Sequence, residues 1–501
     1  MGSIPSERRF KADSICIIGA GPSGLAAAKY LIAEKAFSRV VIYEQRSKTG
    51  GLWNYLPCNE GSAKVPVPQT NPHAGHAEPV WGQVGQDGSV SEEPDFISPV
   101  YERLETNIPR GLMGFSDLDW DEDRQLFPKH EDVLNYIQTY GKDVSHLIKL
   151  RTQVLDVRLR PDEKWTVTTT PISQPNSPQE PTEETFDAVI CANGHYEVPY
   201  IPQVPGISTF HSTYPNTISH SKFYRKPEAY TNKKVIIVGN SASGIDIGSQ
   251  IEHVCKLPLI ISQKSESYLN VEGSKPTNIK IEKPEIIEYI PQNRTVKFSD
   301  STTESHIDAI LYCTGYFYYY PFLSSLHPPI ITTGERVQNT YQHIFYAPNP
   351  TLSFLVLNQK VIPFPMAEVQ SAVIARVLSG RLSLPSLHEM KSWEEDVEKE
   401  MGKGRNFHVL KFPRDAEMIN FLGEWARSAD GEEVGIVGVG IVGKKPPRWG
   451  AKEFYTRERF PNIKSAFNAL GEERYQVRRL EEVGFDFEKW KAGTEEGGKG
   501  K

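Results

Sequence analysis

Ser14-Ile15-Cys16-Ile17-Ile18-Gly19-Ala20-Gly21-Pro22-Ser23-Gly24 is an apolar strand that runs straight into three glycines at G-x-G-x-x-G spacing. An alanine-rich stretch with helical character starts near Leu25. Each glycine answers a separate demand: a tight turn, a backbone approach close enough to touch a pyrophosphate, and close packing of helix on strand. The helix N-terminus behind the turn adds positive potential for an anion. A second strand, Arg39 to Glu44, completes a βαβ unit and ends on an acid 20 residues past Gly24. A carboxylate there accepts the hydroxyls of an adenosine ribose and repels a 2′-phosphate. Gly19, Gly21, Pro22, Ser23, Gly24 and Glu44 therefore read as a site for FAD or NAD, not for NADP.

The chain then repeats the device. Lys234-Val235-Ile236-Ile237-Val238 leads into Gly239-Asn240-Ser241-Ala242-Ser243-Gly244, a helix from about Ile245, and a strand Leu259-Ile260-Ile261. Ser241 stands where the middle glycine was, and the same count of 20 residues past Gly244 arrives at Lys264. A lysine with the Ser262 hydroxyl beside it suits a 2′-phosphate. Gly239, Ser241, Ala242, Ser243, Ser262 and Lys264 thus read as an NADPH site, and two nucleotides of opposite ribose chemistry imply electron transfer from NADPH to FAD. A third copy of the pattern, Gly438-Val439-Gly440-Ile441-Val442-Gly443, is followed by Pro446 and Pro447, which forbid the helix it needs; it reads as an apolar glycine loop.

The bulk properties agree with such an enzyme. At 501 residues the chain exceeds the size of a single core, so two or three domains are expected. Hydrophobic content of 38% and charged content of 24% are those of a globular protein. No run approaches the roughly 18 apolar residues that span a bilayer, and Met1 to Lys11 lacks the apolar core of a signal peptide, so no membrane association and a cytoplasmic location are expected. A net charge of -7 argues against nucleic acid as a partner. Cys16, Cys58, Cys191, Cys255 and Cys313 are scattered, with neither a disulfide framework nor metal-binding or dithiol spacing; no metal is expected. The partners to expect are a small-molecule substrate and O2, with assembly open and a homodimer as one alternative.

The fold class that follows is α/β, with two Rossmann-like dinucleotide-binding domains. The stretch 491–501 is rich in glycine and charge and is expected to be a disordered tail. Helical spacing is present in Lys129 to Ile148, Met366 to Leu378 and Ala416 to Ala426. Ala63 to Asp95 and Pro161 to Glu184 are polar, rich in proline or glycine, and read as long surface insertions remote from any chemistry.

From about Ile15 to about Leu470 the motifs resemble those of the flavin-containing monooxygenases, class B flavoproteins of two nucleotide domains, of the fungal and yeast type. Gly50-Gly51-Leu52-Trp53 is similar to the family's flavin-side GG-x-W, and Gly239, Ser241, Ser243 and Asp246 fit its G-x-S-x-S-x-x-D turn, where Ser241 is the expected residue. Tyr214-Pro215-Asn216-Thr217-Ile218-Ser219-His220-Ser221-Lys222-Phe223-Tyr224 resembles the identifying F-x-G-x-x-x-H-S-x-x-Y, with Tyr214 for phenylalanine and Asn216 for glycine. Cys313-Thr314-Gly315-Tyr316 looks like the ATGY segment that returns the chain to the flavin half, so the resemblance implies a larger FAD domain that is discontinuous and interrupted by a smaller NADPH domain: residues 1–205 its first part, 206–307 the NADPH domain, and 308–490 the second part with C-terminal helices.

The resemblance implies FAD contacts from Gly51, Leu52, Trp53, Thr106, Asn107 and Gln370, the last together with Glu368 in an E-x-Q segment near the flavin, and an NADPH contact from Tyr224. It places Asn107 of Thr106-Asn107-Ile108-Pro109 at the flavin's reactive edge as the catalytic residue. The implied reaction is oxygenation of a soft nitrogen or sulfur through a flavin C4a-hydroperoxide, with NADP⁺ retained and water kept out. Tyr224 stands where Baeyer–Villiger enzymes carry tryptophan; oxidation of a ketone is the alternative. A disulfide reductase would need a dithiol, and no close cysteine pair exists. The aromatic run Tyr316 to Tyr320 reads as packing first and as the rim of an entrance second.

Overall fold

The protein is described here from a computed structural model over residues 7–57, 65–82, 93–173, 179–265, 279–430 and 443–497. The first unit is β1 (Ser14–Ile18), α1 (Pro22–Glu34) and β2 (Arg39–Tyr43). Ile15, Cys16 and Ile17 are fully buried because parallel strands are covered on both faces, so the strand has to be a continuous apolar run. Burying each side chain of that size contributes about 1.5–3 kcal/mol. The helix starts at Pro22, ahead of Leu25, since the last residues of the glycine turn are already helical and proline's missing N–H is no loss in a first turn.

The chain continues through α2 (His130–Tyr140), β3 (Ile148–Lys149) and a meander of β4 (Thr152–Leu159), β5 (Trp165–Pro171) and β6 (Thr182–Phe186), then β7 (Ala188–Cys191) and β8 (Val198–Pro199). Next come α3 (Ile207–Thr213), β9 (Ile218–His220), β10 (Val235–Val238), α4 (Ala242–Ile251), β11 (Leu259–Ser262) and β12 (Lys280–Lys283). An antiparallel trio β13 (Ile286–Ile290), β14 (Thr295–Phe298) and β15 (Thr303–Glu304) precedes β16 (Ala309–Tyr312) and β17 (Tyr316–Phe317). The last third holds β18 (Thr340–Tyr341), β19 (Phe345–Tyr346) and β20 (Leu352–Phe354), followed by α5 (Pro363–Leu378), α6 (Leu387–Met401), α7 (Arg414–Arg427), α8 (Ala451–Ala469) and α9 (Phe487–Gly497).

Two sheets organise these elements. One has the order β18-β19-β20-β7-β1-β2-β3, so strands from both ends of the chain meet in it. The other, β12-β11-β10-β16-β9, is wholly parallel and is built from the segment between them. The larger domain is therefore discontinuous and the smaller one interrupts it. Strand β16 pairs with β10 and β9, so the chain leaves the second sheet past Tyr312, later than the boundary at 308. Helix α5 is buried along almost its whole length and packs on α1, forming the main core of the larger domain.

Two expectations are corrected. Pro161 to Glu184 is no structureless insertion: its described part carries β5 and most of β6, with Trp165, Val167 and Thr169 facing inward and threonines alternating between them. Lys491 to Gly497 continues α9, whose Trp490 packs against Tyr455 and lies under the Arg459 guanidinium, so these residues are no disordered tail. The glycine copy at 438–443 lies outside the described residues except for Gly443, as does Cys58. No helix among the described residues is long and apolar enough to cross a membrane.

Candidate active site

The two glycine turns have one geometry. Gly19 at φ +106° and Gly239 at φ +108° both sit where L side chains rarely go, and a Cβ on either would lie 2.6 Å from a carbonyl oxygen, of Ala192 or Cys313. A Cβ on Gly24 would meet Gly19 O at 1.9 Å, and one on Gly244 would meet Gly239 O at 2.0 Å. The middle residue differs in kind. Gly21 (φ -77°, ψ -176°) and Ser241 (φ -84°, ψ -171°) share an extended backbone that any residue adopts. Glycine at position 21 therefore serves clearance and not torsion, and serine at 241 brings a hydroxyl at no conformational cost. Ser241 and Ser243 are both exposed, and neither hydroxyl bonds another described residue.

Hydrogen bonds between strands set the register of the residues after each turn. Gly19 N–H donates to Tyr43 O at 2.8 Å and Glu44 N–H to Lys149 O at 3.0 Å; Gly239 N–H donates to Ser262 O at 2.9 Å and Gln263 N–H to Lys283 O at 2.9 Å. The counterpart of Glu44 is thus Gln263, and Lys264 is one residue further on. The count of 20 fails because α4 is three residues shorter than α1 and its link to β11 three longer, while β11 is one residue shorter than β2. Glu44 is buried, and its carboxylate accepts from Ala20 N at 2.8 Å and Arg46 N at 2.9 Å, which aims it across the turn. Gln263 Oε1 accepts instead from the Asn240 amide at 2.6 Å. Ser262 is buried and donates to Pro284 O at 3.0 Å, so its hydroxyl is committed within the sheet. Lys264 is 82% exposed and paired with Glu285.

A cavity of about 560 Å³ opens on both turns, within the roughly 300–1,000 Å³ typical of small-molecule sites. Of the sequence-derived residues, Gly19, Gly21, Pro22, Ser23, Glu44, Gly51, Leu52, Trp53, Thr106, Asn107, Ala242 and Ser243 line it; Gly24, Gln370, Tyr224, Gly239, Ser241, Ser262 and Lys264 are not in its wall. The wall fits an FAD. Gly21 and Gly51 face each other so closely that a Cβ on Gly51, at φ +55°, would stand 3.0 Å from Gly21 Cα, leaving a bare-backbone cradle at the start of α1. Asn107 is a polar group of the wall with its amide left over. Thr106 N–H donates to Pro128 O at 2.9 Å and its hydroxyl to Ile108 O at 2.8 Å, while the Asn107 amide bonds no other described residue.

The remaining candidates support the cavity from behind. Gln370 is fully buried, accepting from Val356 N at 2.7 Å and donating to Asn358 Oδ1 at 2.8 Å, and those two residues line the cavity. Glu368 is fully buried under Ser116, Tyr30 and the Lys444 ammonium at 2.6 Å. Tyr224 is buried, stacks edge-on to Tyr101 and donates to Gln250 Oε1 at 3.0 Å; it braces α4 and does not reach the cavity. His220 is buried with Nδ1 accepting from Lys222 N at 3.1 Å, so its proton sits on Nε2, which donates to Gly315 O at 3.1 Å. Burial holds its pKa down to about 3, and the neutral ring joins the identifying segment to Thr314-Gly315-Tyr316. Ser221 beside it lines the cavity, as do Tyr316 and Tyr319, whereas Phe317, Tyr318 and Tyr320 pack in the core; the aromatic run serves both purposes.

Sequence reasoning missed the segment after β7. Asn193, Gly194, His195, Tyr196 and Glu197 line the cavity at the carboxyl end of that strand, where open α/β sheets place their ligands. The visible signal was an apolar strand ending in Asn-Gly. His195 is buried with its pKa pushed down to about 4 by desolvation, so it is neutral. Arg46, two residues past Glu44, is buried, donates to Phe96 O at 2.7 Å and has its pKa lowered by burial against the pull of Glu44. His76 and Ala77 also line the cavity, so the stretch Ala63 to Asp95 is not remote from the site.

Known proteins share this arrangement. A family described as flavin-binding monooxygenase-like matches residues 89–282 and 274–428, and an NAD(P)-binding Rossmann-like domain matches residues 17–78. The chain is 33% identical over 451 residues to flavin-containing monooxygenase FMO GS-OX5 of Arabidopsis thaliana, covering 86% of this chain and 88% of that protein. It is 28% identical over 477 residues to flavin-containing monooxygenase iboF of Amanita muscaria, covering 83% and 88%. Among solved structures it is similar to S-allyl-L-cysteine S-oxygenase from Allium sativum, with a TM-score of 0.71, 28% identity, and coverage of 95% and 97%.

Proposed function

Because this chain belongs to the flavin-binding monooxygenase-like family, and is an FAD- and NADPH-dependent monooxygenase, we propose that it oxygenates a soft sulfur or nitrogen centre of a small molecule. Bound FAD supplies the activation of O2, and NADPH supplies two electrons, so that one oxygen atom enters the product and the other leaves as water. The observation that carries the reading is the single cavity into which Asn107 presents an uncommitted amide and onto which both turns open.

The chain's own residues hold, aim and dry. The bare amides at the start of α1 and the Gly21–Gly51 cradle receive a pyrophosphate, while the fixed carboxylate of Glu44 takes the ribose. The exposed hydroxyls of Ser241 and Ser243 and the N-terminus of α4 receive the second nucleotide. Ile362, Phe364, Phe460 and Met113 give the cavity wall an apolar character that keeps bulk water from the reacting atoms, and the Asn107 amide orients a polar group there at no reorganisation cost. No acid, base or nucleophile triad is required. The name of the Allium sativum S-oxygenase, whose structure is similar, favours sulfur.

The test is product analysis on the purified chain. NADPH added without oxygen should bleach the flavin's visible band, and air plus a thioether should then yield sulfoxide in proportion to NADPH. Asn107→Ala should keep flavin reduction within about threefold and lower the yield of oxygenated product per NADPH by at least about tenfold, hydrogen peroxide replacing it. A colourless protein, or a lactone from a cyclic ketone with no sulfoxide or N-oxide, would overturn the proposal.

A further inference from the structure

Lys264, which lies outside the cavity wall, does not stand alone beside the second turn. Its Nζ lies 2.9 Å from Glu285 Oε2, with the side chains 82% and 45% exposed. Glu285 sits in the link between β12 and β13, anchored where Ser299 N–H donates to its carbonyl at 3.0 Å. A second acid stands next to it: Gln263, the counterpart of Glu44, donates from Nε2 to Glu282 Oε2 at 2.9 Å. The cation of intervening Lys283 is turned the other way, onto Thr302 Oγ1 at 3.1 Å and the face of Phe298. Among the described residues, the corner of the second turn that would receive the 2′ substituent of an adenosine ribose thus holds one ammonium and two carboxylates. A 2′-phosphate approaching Lys264 has to displace Glu285, the carboxylate paired with it, while Glu282 stays on the neighbouring Gln263 amide.

We propose that Glu285 is a specificity-determining residue: it competes with the coenzyme's 2′-phosphate for Lys264 and so narrows the preference for NADPH over NADH. This rests on the reading of the second turn as the NADPH site. The competition is small in energy, because an exposed ion pair contributes little and salt screens it, but it acts on one coenzyme only. A ribose with a free 2′-hydroxyl feels neither the loss of Lys264 nor the presence of Glu285.

Calorimetric titration of the FAD-loaded protein with 2′,5′-ADP and with ADP separates the terms without turnover. Glu285→Gln should tighten 2′,5′-ADP about three- to tenfold and leave ADP within about twofold, and in a Lys264→Gln background at least about half of that gain should vanish. Both side chains are exposed, so folding is not at stake. Glu285→Gln with no effect, or with equal effects on the two ligands, overturns the proposal while the nucleotide site stands. Wild-type protein that binds neither ligand overturns the reading beneath it and the proposal together.

Discussion

Alanine substitutions at Gly21 and Gly24, three residues apart in one turn, should fail in opposite ways. At Gly24 the added Cβ would come 1.9 Å from Gly19 O, a backbone atom that cannot swing aside, and 3.4 Å from Ala192 Cβ. The helix has to move off the strand, an overpacking cost of about 3 kcal/mol or more, at the top of the range for inserted methylenes. At Gly21 the nearest atoms to a Cβ are Gly51 Cα at 3.6 Å and Gly51 N at 3.9 Å, ordinary contact, and the backbone is already at a φ that alanine prefers. Ser241 occupies the matching place in the second turn with nearly the same torsions, which shows the conformation accepts a side chain. Gly21→Ala should therefore change the stability of the flavin-free protein by no more than about 0.5 kcal/mol. The same methyl group fills the cradle shared with Gly51, so FAD affinity should fall by about a hundredfold, roughly 3 kcal/mol. The assays are thermal unfolding of flavin-free protein and fluorescence titration with FAD. Gly24→Ala should lower the Tm of flavin-free protein by about 6 °C or more, at roughly 2–4 °C per kcal/mol for domains of this size. A Gly21→Ala protein that keeps FAD within threefold of wild type, or that unfolds without it, would refute the clearance argument.

Two further outcomes follow from buried polar groups. Glu44→Gln replaces one of two acceptors, of Ala20 N and Arg46 N, by an amide that cannot accept there; FAD titration should show a 10- to 100-fold weaker Kd, from an unsatisfied buried N–H worth about 1–3 kcal/mol. An unchanged Kd would remove Glu44 from the site. His195, His220 and His343 are held neutral by burial, with pKa values lowered to about 4, 3 and 3, while an unfolded histidine titrates near 6.5. Below about pH 6.5 the unfolded chain binds protons that the folded one refuses, so stability is full above that pH and is lost as pH falls toward the folded values. The slope reaches about 1.4 kcal/mol per pH unit for each histidine, and urea unfolding from pH 7.5 to 5 should show it, with His220→Gln removing about one proton from the slope. Stability that does not change between pH 7 and 5 would contradict the burial.

The fold was largely legible because strands covered on both faces have no choice but to be apolar runs, and β1, β10, β7 and β16 are four such runs, each followed by a glycine or by the loop that a glycine packs on. What escaped notice had weaker signals. Strand β5 alternates threonine with Trp165, Val167 and Thr169, a period of two written in residues polar enough to resemble a loop. The displacement of Lys264 by one place is of another kind. A count along the chain measures helix plus link, and α1 and α4 differ in both; which residue stands beside the turn is decided by which carbonyl the next strand offers, a property of the neighbouring strand. Asn107 was reachable only through resemblance, since a lone asparagine before Ile-Pro has no periodic or spacing signal.

On the proposed assignment, the difference between the two turns explains how one chain treats two nucleotides differently. Around the first, Gly21 and Glu44 are buried, Gly51 closes over the turn, and the acid is pinned by two amides. Around the second, Ser241, Ser243 and Lys264 are exposed, and the residue matching the acid is a neutral amide held by other side chains. A ligand at the first turn rests on buried groups, whereas one at the second rests on exposed ones. That is the asymmetry a catalytic cycle demands of a flavin that stays through every turnover and a reductant that must be exchanged once in each. Because the backbone of the two turns is nearly identical, burial and side chains alone produce it: one glycine kept for clearance at 21, one serine admitted at 241, and an acid at 44 whose place at 263 is taken by glutamine.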